Sequence, residues 1–77
     1  MNEVEIIPLA QRKIARRGIT ESWVTEAVTS PEQVVEGHGK RMVAHRRRMI
    51  RGKEKLLRVV YEKTQDKYVI ITASRPT

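Results

Sequence analysis

The pattern of apolar positions changes character midway along the chain. In the first half it has helical spacing. Ile6 and Ile7 lead into Pro8, which suits a first helical position because that position's amide hydrogen would be unpaired anyway. Ala10 and Ile14 then share a face at i, i+4, and Gly18 after Arg16-Arg17 supplies a C-terminal stop with bases at the negative helix end. Thr20 is the next N-cap, Glu21 sits in the positive first turn, and Ile19 is placed to staple onto Val24. Val24, Ala27 and Val28 form the buried stripe, Trp23 borders it, and Ser30-Pro31 closes the helix. Two helices are predicted, over Pro8 to Arg17 and Glu21 to Thr29.

After Pro31 the pattern becomes that of strands. Gln33 to Glu36 is a short candidate, ended by Gly37-His38-Gly39, and Lys40 to Ile50 is a long one. Arg51-Gly52-Lys53-Glu54 reads as a turn, Leu56 to Lys63 as a strand, Gln65-Asp66-Lys67 as a turn and Tyr68 to Ser74 as a last strand. The predicted fold is therefore one α+β domain over residues 1–77, with two N-terminal helices packed on a three- to four-stranded antiparallel sheet whose other face is free to bind. Leu57, Val59 and the apolar residues of the last strand are expected under the helices. Arg58 is expected on the free face, and Tyr61 at its rim or in the core.

Composition sharpens this picture. Seventy-seven residues bury only about 60% of the unfolded surface, and with no cysteine there is no disulfide or thiolate metal site to reinforce the core. Partner binding is the remaining support, so a homo-oligomer or a complex with another chain is expected. No apolar run approaches a membrane span, and the start Met1-Asn2-Glu3-Val4-Glu5 is acidic where a secretion signal needs base, so a cytoplasmic location without membrane attachment is expected.

The net charge of +7 is unevenly spread. Residues before Gly37 carry four bases and six acids, and those from Gly37 onward carry twelve bases and three acids. Lys40 to Arg58 alone holds nine bases against Glu54. A charge run is commonly a solvated face, and Lys or Arg on an edge strand also blocks aggregation. An imbalance this local points to a polyanion, RNA above all, or to an acidic protein on the same surface. Candidate nucleic-acid contacts are Lys40, Arg41, Arg46, Arg47, Arg48 and Arg51, with Arg16 and Arg17 from the first helix. Alternation puts Met42, Ala44, Arg46, Arg48 and Ile50 on one face, and Arg41, Val43, His45, Arg47, Met49 and Arg51 on the other. The basic triplet must therefore serve both faces or lie on an edge.

His38 and His45 have no accompanying carboxylate cluster, and Gly37-His38-Gly39 is not followed by a helix, so neither a metal centre nor a phosphate-cradling loop is expected. Cofactors are likewise not expected. Metal-free RNA cleavage needs only a cation on the phosphate and groups that move protons, because the substrate's 2′-hydroxyl is the nucleophile. The candidate catalytic residues are Arg58, His45, Tyr61 and Arg12. A tyrosine in Val59-Val60-Tyr61 is more often core, and Arg12 and Arg16 one turn apart are more often a solvated helix face.

The order of signals resembles a known family. Leu9-Ala10-Gln11-Arg12, Arg16-Arg17-Gly18-Ile19-Thr20, Val24, Ser30-Pro31, Val34-Val35, Leu57-Arg58-Val59-Val60-Tyr61 and Val69-Ile70-Ile71-Thr72 look like domain of unknown function 4258. The resemblance implies kinship with RelE-like, barnase-related ribonuclease toxins: helices on an antiparallel sheet, metal-independent cleavage of RNA and an acidic antitoxin as partner. Members commonly open the first helix with His-Ala-x-x-Arg, and this chain has Leu9 at the His position. Arg12, Arg17 and Arg58 carry over by position. A non-catalytic RNA-binding module, or a domain that docks an acidic protein, are the alternatives.

Overall fold

The structure is a computed structural model and describes residues 3–75. Its elements are β1 (Glu3–Ile6), α1 (Pro8–Arg16), α2 (Glu21–Thr29), β2 (Gln33–Glu36), β3 (Arg41–Ile50), β4 (Lys53–Lys63) and β5 (Lys67–Ser74). The strands form one sheet in the order β1-β5-β4-β3-β2, with the two helices on one face.

The α+β class and both helices agree with the sequence reading. The strand count and the all-antiparallel character do not. There are five strands, and β1 pairs parallel with β5, Val4 opposite Tyr68 and Ile6 opposite Ile70. The missed strand has the alternation Glu-Val-Glu-Ile, but only four residues of it, directly ahead of a helix start. Parallel neighbours need a long connection, and here everything between Ile6 and Lys67 provides it.

Helix α1 starts with Pro8 at its first turn and gives way to Gly18, whose φ of 70° takes the chain out of the helix. Thr20 caps α2, its hydroxyl accepting from the Trp23 amide at 3.2 Å. Strand β4 begins at Lys53, earlier than the turn chemistry suggested, because Arg51 and Gly52 alone make the β3–β4 turn, with φ of 53° and 78°.

The core lies between the helices and the sheet. Ala10, Ile14, Ile19, Val24, Ala27 and Val28 meet Ala44, Leu57, Val59, Tyr61, Ile70 and Ala73, and Tyr61 stands edge-on to Tyr68 at 5.4 Å. A register shift makes this possible. Val59 pairs with Ala73 but Tyr61 with Ile70, so Ile71 is the extra residue of a bulge in β5. Without it, Ile70 and Ala73, three positions apart, would face opposite sides. The edge of β5 beyond Ile70, which β1 does not reach, is capped by Arg17, whose Nη1 donates to the Ala73 carbonyl at 2.7 Å.

Candidate nucleic-acid interface

Strand β3 divides its bases between two environments. Arg46 and Arg48 point to the helix side. Arg46 Nη1 donates to the Ser30 carbonyl at 2.7 Å and its Nε faces Glu26 Oε1 at 3.3 Å. Arg48 binds the same carboxylate and lies 5.0 Å over the Trp23 ring. Two arginines therefore hold α2 to β3 through one acid. The basic triplet serves both faces, and the part of β3 beyond its pairing with β2 is also a sheet edge.

The helix-free face takes Arg41, Val43, His45, Arg47 and Met49 from β3. Opposite them on β4 stand Glu62, Val60, Arg58, Leu56 and Glu54, in that order. Arg41 pairs with Glu62 at 3.6 Å. Arg47 is held by Glu32, whose Oε1 accepts from the Arg47 amide at 2.7 Å and from Nε at 3.2 Å, with Glu54 3.6 Å away. The face is thus less positive than the count over Lys40 to Arg58 implies. Arg58 has no carboxylate across the strand: its directly opposed neighbour on β3 is His45. His45 Nδ1 is shielded from solvent and has no hydrogen-bond partner. Beside this pair, Glu32, Gln33, His45, Arg47 and Leu56 line a shallow depression.

The remaining candidates lie elsewhere. Tyr61 is 5% exposed on the helix side of the sheet, where burial, and secondarily Tyr68, push its phenol above the ordinary value. Arg12 and Arg16 belong to α1 in the helix layer, as does half-exposed Leu9. Arg17 is committed to the β5 edge. Lys40 lies in the β2–β3 turn and Arg51 in the β3–β4 turn. The structure thus brings together His45, Arg58, Arg47 and Arg41, and separates Tyr61, Arg12, Arg16, Arg46 and Arg48 from them. Glu32 and Gln33 are site residues that sequence reasoning passed over. They follow Pro31 and read as loop and short strand, and only the β2–β3 register sets them beside His45.

The amide and guanidinium of Arg47 hold the Glu32 carboxyl below the usual carboxylate range. A folded-state pKa below the unfolded one gives stabilisation that is present above the unfolded value and lost as pH falls through the folded one. Glu32→Gln is expected to flatten the stability profile between about pH 5 and pH 3, as read by urea midpoints. A profile as steep as the parent's would show that this ion pair does not form. At the alkaline end the sign reverses. Glu5, 2.6 Å from Lys67 Nζ, keeps that ammonium charged to higher pH, so its contribution is lost only as pH rises through the raised value.

Among the described residues no three His, Asp or Glu side chains converge as metal ligands, and no helix is long and apolar enough to cross a membrane. The architecture is that of a small α+β domain with both helices on one sheet face and a charged, helix-free face opposite. Residues 10–75 match the family model described as domain of unknown function (DUF4258), and the chain belongs to that family. No curated protein and no solved structure matches it.

Proposed function

We propose that this protein is a metal-independent endoribonuclease of the toxin type, acting in the cytoplasm on RNA held across its helix-free face. The observation that supports the reading best is the cross-strand pair His45–Arg58, one imidazole that lines the open depression beside one cation with no carboxylate across from it. In the proposed reaction the 2′-oxygen attacks the adjacent phosphorus, the bond to the 5′-oxygen breaks, and a 2′,3′-cyclic phosphate and a 5′-hydroxyl result. Arg58 stabilises the charge on the phosphoryl oxygens, and His45 transfers a proton at the 2′- or 5′-oxygen. Arg41 and Arg47 extend the track for the phosphate backbone. An acidic antitoxin-like partner would compete for these bases and add the apolar contacts of Leu56 and Met49, which are 37% and 64% exposed beside them.

The second reading, a non-catalytic RNA-binding module, is favoured by one feature. Tyr61 and Arg12 lie away from the face, so His45 is the one proton carrier there among the candidates drawn from sequence. Both readings require that RNA bind through backbone phosphates. Affinity for a single-stranded RNA should then fall with salt, with a log–log slope of about −0.7 per phosphate contacted. Arg41→Ala and Arg47→Ala should weaken binding alike for unrelated sequences. Affinity that is the same at low and high salt would remove RNA as the ligand.

A further inference from the structure

Arg51 occupies a backbone conformation that its side chain disfavours. With φ of 53° it is the first residue of the two-residue β3–β4 turn, and Gly52 follows at 78°. Turns with both residues left-handed take Asn, Asp or Gly at the first position, and a long side chain is disfavoured there. Hairpin geometry gives no reason for arginine. Strain of this kind, when it persists, points to what the side chain does.

The surroundings of Arg51 suggest a use. It lines a depression with Gly18, Trp23, Met49, Ile50 and Arg75. Arg75 Nε donates to the Arg17 carbonyl at 2.9 Å, which anchors the guanidinium above Gly18 and leaves its other N–H groups available. Among the described residues neither Arg51 nor Arg75 pairs with a carboxylate, whereas Arg41, Arg46, Arg47 and Arg48 all do. Trp23 is partly exposed at the border of α2, with Arg48 as its cationic neighbour. An aromatic ring, an apolar floor from Ile50 and Met49, and two uncompensated guanidiniums match a ligand with a flat apolar body and one phosphate.

We propose that this depression is a nucleotide subsite, with the base against Trp23 and the phosphate on Arg51 and Arg75. The proposal rests on the reading of the chain as an RNA-binding protein and extends it. Met49 projects from the helix-free face yet also lines this depression, so the two regions are continuous around the hairpin tip. From His45 to Arg51 the strand spans about 20 Å. A single strand held at His45 and Arg58 and running along β3 would place a nucleotide some distance from the cleavage point in this subsite.

Trp23 is the single tryptophan, so intrinsic fluorescence of the full chain reports on the depression directly. Titration with adenosine 5′-monophosphate should give saturable quenching, at least about tenfold tighter than with inorganic phosphate or adenosine alone. Arg51→Asn suits the turn, so it should melt at or above the parent temperature while binding the nucleotide about tenfold more weakly. Arg75→Gln is the second variant and should weaken binding similarly. His45→Ala and Arg58→Ala should leave nucleotide quenching intact, so failure of the cleavage reading and failure of the subsite are told apart. The subsite is overturned if the nucleotide binds no better than phosphate, or if both arginine variants bind it as the parent does. Quenching by an acidic peptide but not by the nucleotide would assign the depression to a protein partner instead.

Discussion

Replacing Arg58 by alanine is expected to lower RNA cleavage turnover about 100-fold, while RNA affinity falls by no more than about threefold. A cation aimed at charge that develops only as phosphorus becomes five-coordinate acts mainly in the transition state, so its loss appears in kcat rather than in binding. His45→Ala should cost about 10²–10⁴ in turnover, the usual range for a positioned proton-transfer group. Tyr61→Phe is the instructive control. Its hydroxyl lies on the helix side of the sheet, across from the His45–Arg58 pair, so cleavage should continue at the parental rate. Single-turnover kinetics on a labelled RNA separates these cases. Equal losses of kcat in Arg58→Ala and Tyr61→Phe would mean that the reaction does not occur on the helix-free face.

The largest effect on stability is expected at Ile70. It is 0% exposed and sits where β5 meets Tyr61 on one side and Ile6 on the other. Ile70→Ala removes buried methyl and methylene groups and leaves a cavity that the sheet cannot collapse around, at a cost of about 2–5 kcal/mol. A domain of this length has a total stability on the order of 4–12 kcal/mol, so the variant should be partly unfolded near 37 °C. Val43→Ala, on the helix-free face and outside the core cluster, should cost clearly less. Urea denaturation at a fixed temperature gives both values. A loss below about 1 kcal/mol at Ile70 would place the core elsewhere than between helices and sheet.

How far the sequence could be read follows from which interactions are local. Helix ends at Pro8, Gly18 and Thr20 depend on residues within a turn of one another, and they fall where the sequence puts them. The bounds of β2, β3 and β5 likewise fall within a residue of where the sequence puts them. Strand β1 could not be read the same way, because its partner β5 is some sixty residues distant and its own signal is four residues long. The bulge at Ile71 is invisible for a related reason: Val69-Ile70-Ile71-Thr72 is apolar enough to fit either register.

The site divides along the same line. Alternation correctly parted Arg47 and His45 from Arg46 and Arg48, and it put Arg58 on the free face. What it could not supply was pairing. Glu26 lies 20 and 22 positions from the arginines it holds, and Glu32 lies 15 from Arg47. A basic run counted along the chain therefore looked like a continuous cationic surface, although carboxylates brought in by the fold pair four of its nine bases, Arg41, Arg46, Arg47 and Arg48, while Arg51 and Arg58 have no carboxylate partner among the described residues.

The proposed cleavage of RNA on the helix-free face by the substrate's own 2′-hydroxyl is tested most directly by product analysis of a single-stranded RNA incubated with purified protein in excess chelator. The same RNA carrying a 2′-deoxy substitution at the cleaved position runs beside it. Fragments ending in a 2′,3′-cyclic phosphate are expected, undiminished by chelator and absent from the 2′-deoxy substrate. RNA that is bound but left whole, with ribosomes present as well as absent, would contradict the proposal and leave the protein as a binding module.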